Sequence, residues 1–163
     1  MTSTREALAP PEKTGGKYLT FVLLGEEYGV PITSVHEIIG MMPITPMPQT
    51  PPCIRGIINL RGRIIPLVDL RTRFGMPTAQ YTQETCTIVL GLFARSVGVI
   101  VDRVSEVIDI DSADIEPAPD FGAGVDASFI IGIGKSQGRV RILLDIEKAL
   151  SELDPRMLMS GAA

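Results

Sequence analysis

From about residue 17 to residue 150 the chain breaks into short apolar runs separated by turn residues, the pattern of strands rather than long helices. Lys17-Tyr-Leu-Thr-Phe-Val-Leu-Leu24 predicts a first strand, and Gly25-Glu26-Glu27 turns the chain into a second over Tyr28-Gly-Val-Pro-Ile32. Thr33 or Ser34 is expected to cap a short turn that carries Val35, Glu37 and Ile38. Between Met41 and Pro52 stand five prolines, which remove backbone donors and fix φ, so this stretch is expected as an extended crossing.

The most regular pattern is Gly56-Ile-Ile-Asn-Leu-Arg-Gly-Arg-Ile-Ile-Pro-Leu-Val-Asp-Leu70, two β-branched runs hinged on Arg61 and Gly62. It predicts a β-hairpin. Hairpin turns need positive φ, which costs an ordinary residue roughly 1–2 kcal/mol and glycine almost nothing. Pro66 lacks a ladder donor, placing its strand at an edge or beside a bulge. Asp69 can cap a helical turn over Leu70 to Phe74 that Gly75 closes. Near the end, Ile146, Ala149, Leu150 and Leu153 recur at helical spacing, and Pro155 stops that helix. Residues 1–16 read as a disordered leader and residues 154–163 as a frayed tail.

The second half repeats the first. A slide of 69 residues lays Gly29-Val-Pro-Ile-Thr-Ser-Val-His-Glu-Ile-Ile39 on Gly98-Val-Ile-Val-Asp-Arg-Val-Ser-Glu-Val-Ile108, with Gly, Val, Val, Glu and Ile coinciding. A slide of 76 lays Gly56 on Gly132, Gly62-Arg63 on Gly138-Arg139, and Leu67-Val-Asp-Leu70 on Leu143-Leu-Asp-Ile146. Strand-rich units of roughly seventy residues are too short for a sandwich each. Two small closed barrels are the economical solution, because closure removes exposed edges. The expected organisation is one domain over residues 17–153, with a first barrel near 17–83, a second near 84–150, and strands free to exchange at the boundary.

Composition narrows the function classes. The chain has 163 residues, 45% hydrophobic, a net charge of −4 and a pI near 5.0. An acidic chain with 5% aromatics has neither the charge nor the stacking platforms of a nucleic-acid binder, and no segment suits a membrane span or signal peptide. A cytosolic location is expected. There Cys53 and Cys86 read as ordinary buried or half-buried thiols, too few and too far apart for a metal pattern.

Catalytic constellations are sparse. Gly132-Ile-Gly-Lys-Ser136 invites a phosphate-loop reading but has Phe129 and Gln137 where the motifs need glycine. His36 is the only histidine and has no neighbouring nucleophile or ligand cluster. Asp69 and Asp145 occupy equivalent repeat positions, and capping explains each separately. Glu37 and Arg61 fall in one unit and can pair as charges. Glu106 keeps the acid in the second copy, but Gln137 stands where the base should be. Phe121 sits among prolines and glycines, either as an exposed interface anchor or as a plug for its own barrel. The expectation is a protein without catalysis, cofactor or metal.

The stretch from Gly56 to Arg71, with Phe21-Val-Leu, Tyr28-Gly-Val-Pro-Ile, Val35-His-Glu-Ile, Gly98-Val-Ile-Val-Asp-Arg-Val, Pro117-Ala-Pro-Asp-Phe and Leu144-Asp, resembles the CheW family of chemotaxis coupling proteins over about Lys17 to Leu150. The resemblance implies a mainly β fold of two five-stranded SH3-like barrels with short helical turns and a C-terminal helix. It also implies an adaptor, not an enzyme, that bridges methyl-accepting chemoreceptor tips to the regulatory domain of the histidine kinase CheA, with other CheW copies as further partners. The implied receptor-binding residues are Val35, Glu37, Gly56, Asn59, Arg61 and Gly62, and the implied kinase-binding residue is Phe121. The chemosensory pathway, flagellar, pilus-driven or other, stays open.

Overall fold

The computed structural model describes residues 15–92, 95–117 and 127–151. The leader up to residue 14, Phe121, Leu153 and the tail lie outside them. Eleven strands follow in order: β1 Gly16–Leu23, β2 Glu26–Pro31, β3 Val35–Gly40, β4 Ile54–Leu60, β5 Arg63–Asp69, β6 Cys86–Leu92, β7 Arg95–Val101, β8 Arg103–Ile110, β9 Ile115–Glu116, β10 Ile130–Ser136 and β11 Arg139–Leu144. Helix α1 is Leu70–Arg73, and α2 is Ile146–Ser151.

One sheet runs β3-β6-β7-β5-β4 and the other β8-β1-β2-β11-β10-β9. By the repeat offsets the first five positions of the two sheets are equivalent. The registers agree as well, since Leu67 lies opposite Gly98 as Leu143 lies opposite Gly29. Even the sixth position has its counterpart, because Thr45 of the proline-rich crossing bridges to Ile57 where Glu116 pairs with Ile133.

The division near residue 83 bounds the two repeats, and the exchange of strands allowed for at that boundary occurs. The β1–β2 hairpin of the first repeat joins the sheet of the second, and the β6–β7 hairpin of the second joins the sheet of the first. The connections force this. Only Ile32–Ser34 separates β2 from β3, and only Asp102 separates β7 from β8, so each chain passes directly from one sheet to the other.

Strands in the middle of these sheets are buried on both faces, which is why their sequences are nearly continuous apolar runs rather than alternating ones. Ile88, Leu90 and Leu92 of β6, Val97, Val99 and Val101 of β7, and Leu19, Phe21 and Leu23 of β1 share one large core with Val68, Leu144 and Leu150. The opposite faces form two smaller cores. Ile58, Leu60, Ile65, Leu67, Val89 and Ile100 fill one barrel, and Tyr18, Ile108, Ile110, Ile115 and Leu143 fill the other. The main core thus lies between the barrels rather than inside either. An aromatic row runs through it, Phe21 on Tyr28 at 6.0 Å, Tyr28 on Phe74 at 6.5 Å and Phe74 on Phe129 at 6.3 Å.

One local expectation changes and two are refined. Residues 35–40 form strand β3 rather than a capped turn, because pairing with β6 supplies their backbone bonds and the 3-10 turn falls earlier at Ile32–Ser34. Of the two places expected for Pro66, the structure has the second, beside a bulge: β5 lies between β4 and β7, and the proline is tolerated because the ladder to β7 begins only at Leu67, beside the register shift in β4. The Gly132–Ser136 stretch, which fails both phosphate motifs, is a glycine-bearing strand, part of β10, as its reading as strand and turn expects.

Candidate functional site

The β4–β5 hairpin turns on Arg61 at φ 53° and Gly62 at φ 86°, the two left-handed residues of a primed turn. Asn59 Oδ1 accepts the Gly62 N–H at 2.8 Å and holds the tip. Across it, Arg61 Nη2 donates to Glu37 Oε2. Because β3 and β4 are the two ends of their sheet's strand order, this ion pair spans the seam where the barrel closes. A register shift between Val35 and Glu37 leaves His36 as the extra residue, and such bulges re-aim the side chains beside them.

The remaining expected site residues separate. Val35 is half-buried against the central core. Gly56 is buried, and a Cβ there would collide with the carbonyl of Thr45, so its absence of a side chain lets the proline-rich crossing close over β4. Asn59, Arg61 and Gly62 are exposed and contiguous. His36 is exposed with its ring over Gly91.

Sequence reasoning missed Ile38 and Ile64, both exposed large apolar residues, one next to Glu37 and the other directly opposite Asn59. Reading residues 35–40 as a strand would have disclosed the first through its alternation. Their repeat equivalents, Val107 and Val140, are exposed too.

The second barrel does not lack a base for Glu106. Arg141, fully buried at the position equivalent to Ile65, reaches Glu106 at 3.5 Å and Glu27 at 3.3 Å, and donates to the Ser136 carbonyl at 3.1 Å. Arg139 adds a 2.7 Å pair to Glu27. The base comes from inside the barrel, a change of one strand position class that spacing from Arg61 could not disclose.

Two more ion clusters lie at the crossovers. Asp69 caps α1 through the Arg71 and Thr72 N–H groups and also accepts from Arg55 Nε at 3.3 Å and Tyr81 OH at 3.1 Å. Asp102 accepts both Arg71 Nε at 2.8 Å and Nη2 at 2.6 Å, and the Leu24 N–H at 3.0 Å. Partial burial pushes the Asp102 carboxyl up, but the Arg71 guanidinium and the Leu24 N–H outweigh it and hold the group below its ordinary range. Burial pushes the Cys53 and Cys86 thiols up, which keeps them protonated and unreactive.

None of these arrangements sets a nucleophile against a base. Asp69 and Asp145 each cap a helix, Asp145 Oδ1 accepting from the Lys148 N–H at 3.1 Å. Among the described residues no three His, Cys, Asp or Glu side chains gather to hold a metal, and no helix is long and apolar enough to cross a membrane. The cleft between Lys17, Tyr18, Thr33, Ser34 and Glu147 contains neither Glu37 nor Arg61. What the surface offers is an ion pair flanked by exposed apolar side chains, which is recognition chemistry.

Fold and surface therefore define a double-barrel β-protein of the interaction-module class. The model of the CheW-like domain matches residues 17–154, and the chain belongs to that family. It is 41% identical over 140 residues to the chemotaxis protein CheW of Klebsiella aerogenes, covering 86% of this chain and 84% of that one. It is 36% identical over 149 residues to the CheW of Bacillus subtilis, covering 91% and 94%. The crystal structure of the scaffolding protein TtCheW from Thermoanaerobacter tengcongensis superposes with a TM-score of 0.78 at 38% identity, covering 84% of this chain and 93% of that one.

Proposed function

We propose that this chain is a non-catalytic cytosolic adaptor that couples the cytoplasmic tips of methyl-accepting chemoreceptors to the regulatory domain of a CheA-type histidine kinase, within membrane-associated arrays. The observation that carries the reading is the Glu37–Arg61 pair across the seam of one barrel, with Asn59, Gly62, Ile38 and Ile64 around it. A charged centre with apolar flanks suits docking to a helical receptor tip: the apolar groups supply burial and the charges fix register. Val35 and Gly56 act from beneath this face, Val35 by anchoring β3 and Gly56 by seating the crossing. The second barrel presents a different end, because Glu106 is engaged by Arg141 from inside rather than by an exposed hairpin-tip base as Glu37 is, with Val107 and Val140 exposed beside it. Phe121 is assigned to the kinase side on the family resemblance. A pull-down from the source cell with the tagged chain tests the reading. A chemoreceptor and a CheA-type kinase should come down together, the receptor yield falling with an Arg61→Ala bait. Recovery of neither from cells that express both would overturn it.

A further inference from the structure

Four strand pairings join residues 16–75 to residues 86–151: β1 with β8, β2 with β11, β3 with β6, and β5 with β7. Within each half there remain two hairpins and one short bridge to a crossing segment. Taken alone, β3 and β8 have no partner strand. The main core is divided in the same way, since Phe21, Tyr28 and Phe74 come from the first half and Phe129, Leu144 and Leu150 from the second. Arg73 of α1 donates to the Ala149 carbonyl of α2 at 2.8 Å, so the helices following β5 and β11 also meet across the halves. The covalent link between the halves is the stretch from residue 76 to residue 85, which is exposed from Pro77 to Glu84.

The halves therefore recognise each other through backbone ladders and packed faces that make no use of belonging to one chain. We propose that this chain assembles with a second copy by reciprocal exchange of halves, two chains forming two complete pairs of barrels with the 76–85 link as hinge. Exchange of an identical element replaces every intramolecular contact by the same contact between chains, so it leaves the interfaces unchanged. The single-chain form is favoured by the effective concentration its short link provides, on the order of 1 mM, and the exchanged dimer gains as the protein concentration approaches that value.

Two full-length chains test this, one carrying Val68→Asp and Leu70→Asp in the first half, the other carrying Leu144→Asp and Ile146→Asp in the second. Each is expected to be unfolded alone. Refolded together from denaturant, they should yield a 1:1 complex, by light scattering and by co-purification of two tags, with about half the parent's strand signal per chain. In a second arm the parent carries a protease site between Ala79 and Gln80 and is cut after folding. Its halves should stay together, refold from denaturant with a thermal midpoint that lies below the parent's and rises with protein concentration, and form hybrids when two tagged preparations are refolded as a mixture. Failure of the two chains to rescue each other, or separation of the cut halves in native buffer, overturns the proposal.

Discussion

Arg61 and Arg141 perform related pairings under opposite conditions, and their removal should separate the two regimes. The Arg61 side chain is 67% exposed and its partner Glu37 32%, so solvent screens the pair, and Arg61→Ala should cost about 0–1 kcal/mol. Arg141 is 0% exposed, and its removal leaves Glu27, 11% exposed, facing a void inside the barrel. Breaking a buried pair costs about 3–5 kcal/mol, and the low end applies because Arg139 still reaches Glu27 and Glu106 is open to water. At about 2–4 °C per kcal/mol for a chain of this size, Arg141→Ala should lower the thermal midpoint by about 6–12 °C and Arg61→Ala by no more than about 4 °C. Arg141→Ile should recover part of the loss, since Ile65 fills the equivalent place in the other barrel with no exposed surface. Urea unfolding at constant m-value measures the same differences as shifts in midpoint. Equal, small losses for the two alanine variants would refute the assignment of Arg141 to the barrel interior.

Val68→Asp puts an unpaired carboxylate into the core between the barrels and should destabilise by about 4 kcal/mol; an unchanged thermal midpoint would contradict the burial. The Glu37→Ala, Arg61→Ala pair should impair receptor-dependent kinase activation less than the sum of the single changes, and strict additivity would mean that the charges act separately. Because the folded Asp102 carboxyl lies below its ordinary value of 3.8, its stabilising contribution is complete above that value and is lost as pH falls through the folded one. Asp102→Asn should therefore flatten the acid side of the stability profile below pH about 4, and an unaltered profile would show that the Arg71 pair is not coupled to folding. Phe121→Ser should weaken association with the kinase regulatory domain while the thermal midpoint holds; a large drop in midpoint with binding per folded molecule unchanged would assign the ring to the plug role.

The hairpin on Arg61 and Gly62, the Asp69 cap and the doubling of the chain were legible because each rests on local chemistry: a turn that needs positive φ, a carboxylate before a helical turn, an offset between like residues. That strands could exchange at the boundary was legible, but not that both hairpins do, since either partner presents the same equivalent strand and only the short connections at Ile32–Ser34 and Asp102 decide between them. Strand β3 was hidden by Thr33 and Ser34, which read as caps but lie inside the 3-10 segment Ile32–Ser34, whose N-cap is Pro31 and which has no side-chain capping bond. Arg141 escaped notice because a charge at an interior strand position runs against the alternation rule, and the carboxylates that make it tolerable, Glu27 and Glu106, are distant in sequence. The Asp102–Arg71 and Asp69–Tyr81 contacts join segments that no spacing links.

The central claim is that one chain joins a receptor to a kinase through different faces. The most direct measurement is kinase autophosphorylation in a mixture of receptor-bearing membranes, a CheA-type kinase and this protein. The rate should rise above that of kinase with membranes alone only when the chain is added, and Arg61→Ala should reduce the rise while remaining folded. A rate that is the same with and without the chain would contradict the account.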